Sequence, residues 1–156
     1  MSVESLEKGM FPKVCRDTDY VNQKSIRCEL YYPILKKCLE NVQMGKSTAD
    51  FFISMGVSRV GLYAVNEFMD YILRDGNISK LKNLLIYDLH YEKYHGLYYG
   101  RSVLPANQVI HDYKESNIEK VVICNLVFAD DIYRYLNGKG IRAEDIMTID
   151  TLIYGM

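Results

Sequence analysis

The side chains of this chain best placed for chemistry stand just after short apolar runs. Ala64-Val65-Asn66 follows Val60-Gly-Leu-Tyr, Asp88 ends Leu84-Leu-Ile-Tyr, and Asn125 ends Val121-Val-Ile-Cys. Where a strand turns sharply into a helix, the first backbone N–H groups of that helix are free to hold a phosphate. An acid ending the next strand, about 20 residues on, is placed to accept a hydrogen bond from a ribose hydroxyl. Ala64, Val65, Asn66, Asp88 and Asn125 are therefore the candidate residues for a nucleotide or NAD(P).

The details of the turn argue against that ligand. A dinucleotide turn uses G-x-G-x-x-G, for the bend, for close approach of the pyrophosphate and for helix-on-strand packing. In register this chain has Ala64, Asn66 and Met69. Asn66 tolerates a positive φ and can cap the helix, but its Cβ stands where a phosphate would lie. Glu67 and Asp70 put negative charge in the first helical turn, which suits the helix dipole and repels an anion. The reading preferred here is no cofactor and no catalytic residue.

Other constellations are weaker. Tyr87, Tyr91, Tyr94, Tyr98 and Tyr99, with His90 and His95 among them, form a Tyr-rich segment after the second strand. It reads either as a protein-contact or sugar-stacking surface, or as a loop packed by its own aromatics. A metal at His90 and His95 needs a third ligand from Asp88 or Glu92, and no metal site is expected. Gly45-Lys-Ser47 ends like a phosphate-binding loop, but no strand or upstream glycine precedes it, so it reads as a helix–helix turn. His111-Asp112 reads as solvated helix surface. Asn125 and Asp130–Asp131 either line a cleft or cap the next helix. Cys15, Cys28, Cys38 and Cys124 form no CxxC pair and read as reduced thiols, two of them buried.

The elements that must position these residues follow from periodicity. Residues 1–28 carry no sustained period, and Phe11-Pro12 and Asp17–Asp19 suggest loop. From Glu29 the pattern turns helical, with Pro33 in the first turn and Leu35, Cys38, Leu39 and Val42 as the apolar face. Gly45 ends that helix; Ser47 caps a second, with Ala49, Phe52 and Ile53 inward and Gly56 closing it. Strands then alternate with helices. Val60–Ala64 precedes a helix lined by Phe68, Met69 and Ile72, and Leu84–Asp88 is the second strand. Ser102–Pro105 is a short extended piece before a helix capped by Asn107. Val121–Asn125 precedes a helix marked by Ile132, Tyr135 and Leu136, and Ile146–Ile149 is a last strand. This alternation predicts an α/β, Rossmann-like, mostly parallel sheet covered by helices on both faces, over residues 57–156. Residues 1–56 are an N-terminal extension and helices packing on that unit.

From about Leu39 to Ile153 the chain resembles the small Rossmann-like domains of bacterial polysaccharide and glycan biosynthesis proteins, which occur beside glycosyltransferases and methyltransferases. The matching pieces are Gly45-Lys-Ser-Thr-Ala-Asp-Phe-Phe, Val60-Gly-Leu-Tyr, Leu85-Ile-Tyr-Asp88, Tyr99-Gly-Arg-Ser-Val-Leu-Pro105, Val121-Val-Ile-Cys and Ile146-Met-Thr-Ile-Asp-Thr-Leu-Ile153. Where that family carries Y-G-x-G-x-x-G after its first strand, this chain departs at all three glycines. The resemblance implies a setting, glycan or sugar-nucleotide metabolism, rather than a reaction.

Bulk properties bound the partners. With 156 residues, 49% hydrophobic and 25% charged, the chain can bury a core as one folded unit. A net charge of −1 gives no electrostatic pull toward nucleic acid. No apolar run approaches the roughly 20 residues that span a bilayer, and no secretory signal opens the sequence, so a cytoplasmic protein is expected. The expected activity is binding or assembly, with a protein partner or a second copy docking on the Tyr-rich segment and the N-terminal helices. The competing expectation is an enzyme or sensor that binds a nucleotide or sugar nucleotide at the turn after the first strand.

Overall fold

A computed structural model describes residues 16–95 and 97–156; Phe11-Pro12 and Cys15 lie outside the described residues. The most apolar runs of the chain form the middle of one six-stranded sheet. Its strands are β1 (Arg59–Tyr63), β2 (Asn83–Asp88), β3 (Leu97–Tyr98), β4 (Arg101–Pro105), β5 (Lys120–Ile123) and β6 (Ile146–Thr148), in the order β3-β4-β2-β1-β5-β6. All neighbours are parallel except β3 and β4, which form an antiparallel hairpin at the edge. The sequence reading did not expect that hairpin. Leu62 of β1 lies level with Ile86 of β2 and Val122 of β5, so the carboxyl ends of the central strands are flush.

The helices are α1 (Arg16–Gln43), α2 (Thr48–Ser54), α3 (Glu67–Leu73), α4 (Gln108–Lys114), α5 (Ala129–Gly138) and α6 (Ile149–Gly155). Alternate residues of each strand feed two separate clusters, as the period of two requires. Val60, Leu62, Leu84, Ile86 and Val122 join Ile34 and Cys38 of α1, Phe52 of α2, Phe68, Met69 and Ile72 of α3, and Leu152 and Ile153 of α6. Tyr63, Tyr87, Val121 and Ile123 join Val109 of α4 and Ala129 and Leu136 of α5.

Several local expectations hold. Gly45 and Gly56 end α1 and α2 with φ of 68° and 77°. In each case the residue after the glycine bonds back to the last turn, Lys46 N–H to Asn41 O and Val57 N–H to Phe52 O. Ser47 Oγ accepts the Asp50 N–H at 3.1 Å and itself donates to Asp75 Oδ2 at 2.7 Å, tying α2 to the end of α3.

Others are corrected. α1 begins at Arg16, not Glu29, so Asp17–Asp19 is helix and Pro33 lies inside it. No glycine or proline interrupts Arg16–Tyr32, and helix already nucleated propagates through polar residues at little cost. The inward face of α1 is Ile34, Cys38 and Asn41, while Leu35, Leu39 and Val42 are exposed. Asn41 is fully buried because its Nδ2 donates to the Ile153 carbonyl at 3.0 Å; polarity hid this core position from a hydrophobic count. Ile53 is exposed and Thr48 takes the buried place beside Ala49 and Phe52. Asn107 is helical and makes no side-chain cap. The last strand stops at Thr148, where Ile149, Leu152 and Ile153 begin the buried face of α6.

Gly61 marks the tightest packing in the sheet. A Cβ built there stands 2.9 Å from Ile118 Cδ1 and 3.0 Å from Tyr87 Cε2. Tyr87 cannot swing away, because its buried hydroxyl donates to Asp112 at 2.6 Å. Gly61→Ala is expected to lower the unfolding free energy by about 1–3 kcal/mol, as overpacking does. Urea unfolding read by circular dichroism checks it.

Candidate functional site

β1 ends at Tyr63, and Ala64 turns the chain out of the sheet with a left-handed φ of 73°. Its N–H still donates to the Tyr87 carbonyl at 2.9 Å, so the turn begins within the ladder. The next N–H, that of Val65, donates to Asp88 Oδ2 at 2.8 Å, and the His90 N–H donates to Asp88 Oδ1 at 2.7 Å. One buried carboxylate thus joins the turn after β1 to the turn after β2. Asn66 works in the other direction. Its Oδ1 accepts the N–H groups of Phe68 and Met69 at 3.1 and 3.3 Å, and its Nδ2 donates to the Cys124 carbonyl at 2.6 Å. Asn125 Oδ1 accepts the Phe128 N–H at 3.0 Å, closing the turn that leads into α5.

All five residues singled out in the sequence therefore meet at the carboxyl edge of β1, β2 and β5. They meet as partners of one another and of the backbone. A phosphate needs free N–H donors at the start of α3, and Asn66 Oδ1 already occupies two of them. A ribose hydroxyl would find each Asp88 oxygen already accepting one backbone N–H. Glu67 is exposed at the same helix start and adds negative charge. Met69 is fully buried in the core, taking up the space a glycine would leave.

Burial pushes the Tyr63 hydroxyl up to about 12, with Tyr135 and Asp88 adding to the effect. Burial also pushes the Cys124 thiol far up, and the Cys38 thiol to about 11, so both stay protonated at neutral pH. Cys28, by contrast, is exposed. Among the described residues no three His, Cys, Asp or Glu side chains gather as metal ligands would.

The Tyr-rich segment folds over α3. The Tyr98 hydroxyl bonds Asp70, Arg74 Nε donates to the Tyr99 hydroxyl at 3.1 Å, and Tyr98 meets Tyr94 and Tyr99 edge-to-face at 5.6 and 5.0 Å. Tyr91, Tyr94 and Tyr98 pack against the core cluster of α3. Leu97 and Tyr99 remain exposed. Of the two readings of this segment, the loop packed by its own aromatics describes most of its rings.

Asp112 corrects the solvated reading of His111-Asp112. It is 4% exposed and accepts bonds from the Tyr87 hydroxyl and, at 3.2 Å, from Asn117 Nδ2. Burial, then the bond to Asp112 and its charge, raise the Tyr87 hydroxyl well above its ordinary range. Periodicity missed it because an acid four residues after Gln108, the first residue of the helix, looks like helix surface.

A second concavity, of roughly 420 Å³, lies at the amino ends of β1 and β5, and no motif announced it. Most of its charges come from separate elements and pair: Arg59 Nη2 with Glu119 Oε1 at 3.0 Å, Lys120 Nζ with Asp145 Oδ1 at 3.3 Å, and Arg142 Nη2 with Asp145 Oδ2 at 2.8 Å. The Ser58 N–H and then Arg59 hold the Glu119 carboxyl below its usual range. Burial works against Asp145, yet Tyr113, Arg142 and Lys120 together hold it low. Four cations and two carboxylates line the cleft, so it keeps a net positive charge.

No family model matches the chain, and neither does any curated protein or solved structure.

Two substitutions test the edge. In Asp88→Asn the amide can accept at only one of its two termini, so the Val65 or His90 N–H loses its partner. The expected loss is about 1–3 kcal/mol of stability. Ala64→Gly relieves a left-handed alanine and is expected to gain about 0.5–1 kcal/mol net of the added unfolded-state freedom. Paired denaturant melts read both signs.

Proposed function

We propose that the chain is a Rossmann-like α/β module, its sheet covered by helices on both faces, that acts by binding or assembly and not by catalysis. The observation that carries this reading is the closed carboxyl edge. Asp88 spends one oxygen on the Val65 N–H and the other on the His90 N–H, and Asn66 occupies the first donors of α3. A catalytic or cofactor edge of this type keeps such groups open for its ligand.

The resemblance to small domains of glycan biosynthesis proteins supports a cytoplasmic setting in glycan or sugar-nucleotide metabolism. Among the described residues no helix is long and apolar enough to cross a membrane, which agrees with that setting. Most of the Tyr-rich segment is engaged with α3, so the exposed apolar side chains of α1 are the stronger surface for a protein partner.

A thermal-shift panel of NAD(H), NADP(H) and nucleotide sugars at millimolar concentration tests the reading, and no change in Tm is expected. A ligand present at a hundredfold excess over its Kd would add about 2.7 kcal/mol, a shift of several degrees. A saturating rise that disappears in Asp88→Asn overturns the non-catalytic module in favour of a nucleotide-binding enzyme or sensor.

A further inference from the structure

Helix α1 carries two stripes, and the domain covers one of them. Ile34, Cys38 and Asn41 are buried, and Tyr31 stacks edge-on against Phe68 at 5.2 Å. The second stripe is Cys28, Tyr32, Leu35, Leu39 and Val42, at steps of four, three, four and three residues. All five are exposed, Tyr32 at 69%, Leu35 at 41%, Leu39 at 66% and Val42 at 61%. That alternation is the 3.5-residue spacing of a coiled-coil seam held over two heptads, with Tyr32 and Leu39 at one seam position and Cys28, Leu35 and Val42 at the other. With about 100° between successive residues, the two stripes are centred roughly 100° apart. The open stripe therefore points past the domain that holds the covered one.

We propose that this stripe binds a second copy of the chain, α1 against α1 and parallel, as a two-stranded coil. The inference rests on the reading of the chain as an assembly module and names its partner. Two copies bring together on the order of 1,000 Å² of exposed side chain, where specific interfaces begin and beyond what isolated surface residues usually offer. Direction follows from the angle between the stripes. A two-fold axis along the helices sets the two domains on opposite sides of the pair. An antiparallel pair centred on the same residues would set both domains on one side at nearly the same height, where they collide. The flanks do not oppose the parallel pairing: Glu29, Lys36 and Gln43 border the seam on one side, and Tyr31 and Cys38 border it on the other. An edge charge of one copy thus faces an uncharged flank of the next. Pro33 lies on the outer side of the helix, so its missing donor does not enter the seam.

Parallel pairing places Cys28 opposite Cys28 in one layer of the seam, which supplies a readout. The test uses the full chain with Cys15→Ser, while Cys38 and Cys124 are buried. Light scattering after size exclusion is expected to give a dimer, and mild oxidation to join it through Cys28. Leu35→Glu with Leu39→Glu is expected to raise the dimer Kd by about a hundredfold or more, because four charges would be buried unpaired. Both sites are exposed in the single chain, so circular dichroism should be unchanged. Met44→Glu, also exposed but in the turn after α1 and off the seam, should leave the dimer intact. A strict monomer, or a dimer indifferent to the Leu35–Leu39 double change, overturns the proposal. So does a dimer that crosslinks only when Leu39→Cys is placed opposite Cys28. None of these results touches the non-catalytic reading, which stands or falls on the nucleotide panel.

Discussion

The carboxylate of Asp88 is the constraint around which the carboxyl edge of the sheet is organised. Ala64 leaves β1 in a left-handed conformation that an alanine adopts at a cost of about 1–2 kcal/mol. The Val65 N–H that emerges from this bend meets Asp88 Oδ2, and the other oxygen holds the His90 N–H. Two loops are thereby fixed relative to each other by one side chain. The bent turn in turn sets Asn66 at the start of α3, where its amide joins the helix to the Cys124 carbonyl at the end of β5. Three neighbouring strands are laced together at their carboxyl ends.

The same logic recurs on a deeper level. Most buried polar groups are retained where a specific partner is present. Tyr87 and Asp112 satisfy one another beneath the sheet, and the fixed ring then demands a glycine at position 61. Asn41 is admitted to the core of α1 because Ile153 offers it a carbonyl. Asp145 is held by Tyr113, Arg142 and Lys120 at the opposite end of the strands. These contacts join elements far apart in the chain, and they make the polar interior structural in purpose.

Against that closed interior, among the described residues α1 is the long element with an exposed apolar stripe. Its covered stripe contains a cysteine and an asparagine, while its more hydrophobic stripe faces outward. A hydrophobic count ranks these two stripes in the wrong order, since the count measures transfer from water and cannot see a hydrogen bond to a distant carbonyl. Interaction surface and core are distinguished by what lies opposite, not by composition.

The sequence by itself determined the alternation of strands and helices, the burial of Phe52, Phe68, Met69 and Ile72, and the endings of α1 and α2 at Gly45 and Gly56. Each rests on a local rule: a period of 2 or 3.6, or the steric freedom of a glycine. It also located Ala64, Val65, Asn66, Asp88 and Asn125 at one edge, because parallel strands must end there together. Only the tertiary structure decided what those residues do. Whether Asp88 accepts from a ribose or from the Val65 and His90 backbone depends on the distance between two loops, which no spacing within either loop specifies. The burial of Asp112 and Asn41, the β3–β4 hairpin and the outward turn of Leu35, Leu39 and Val42 are of the same kind. Each is set by a partner remote in the chain, and a side chain's type states what it can bond but not what it will meet.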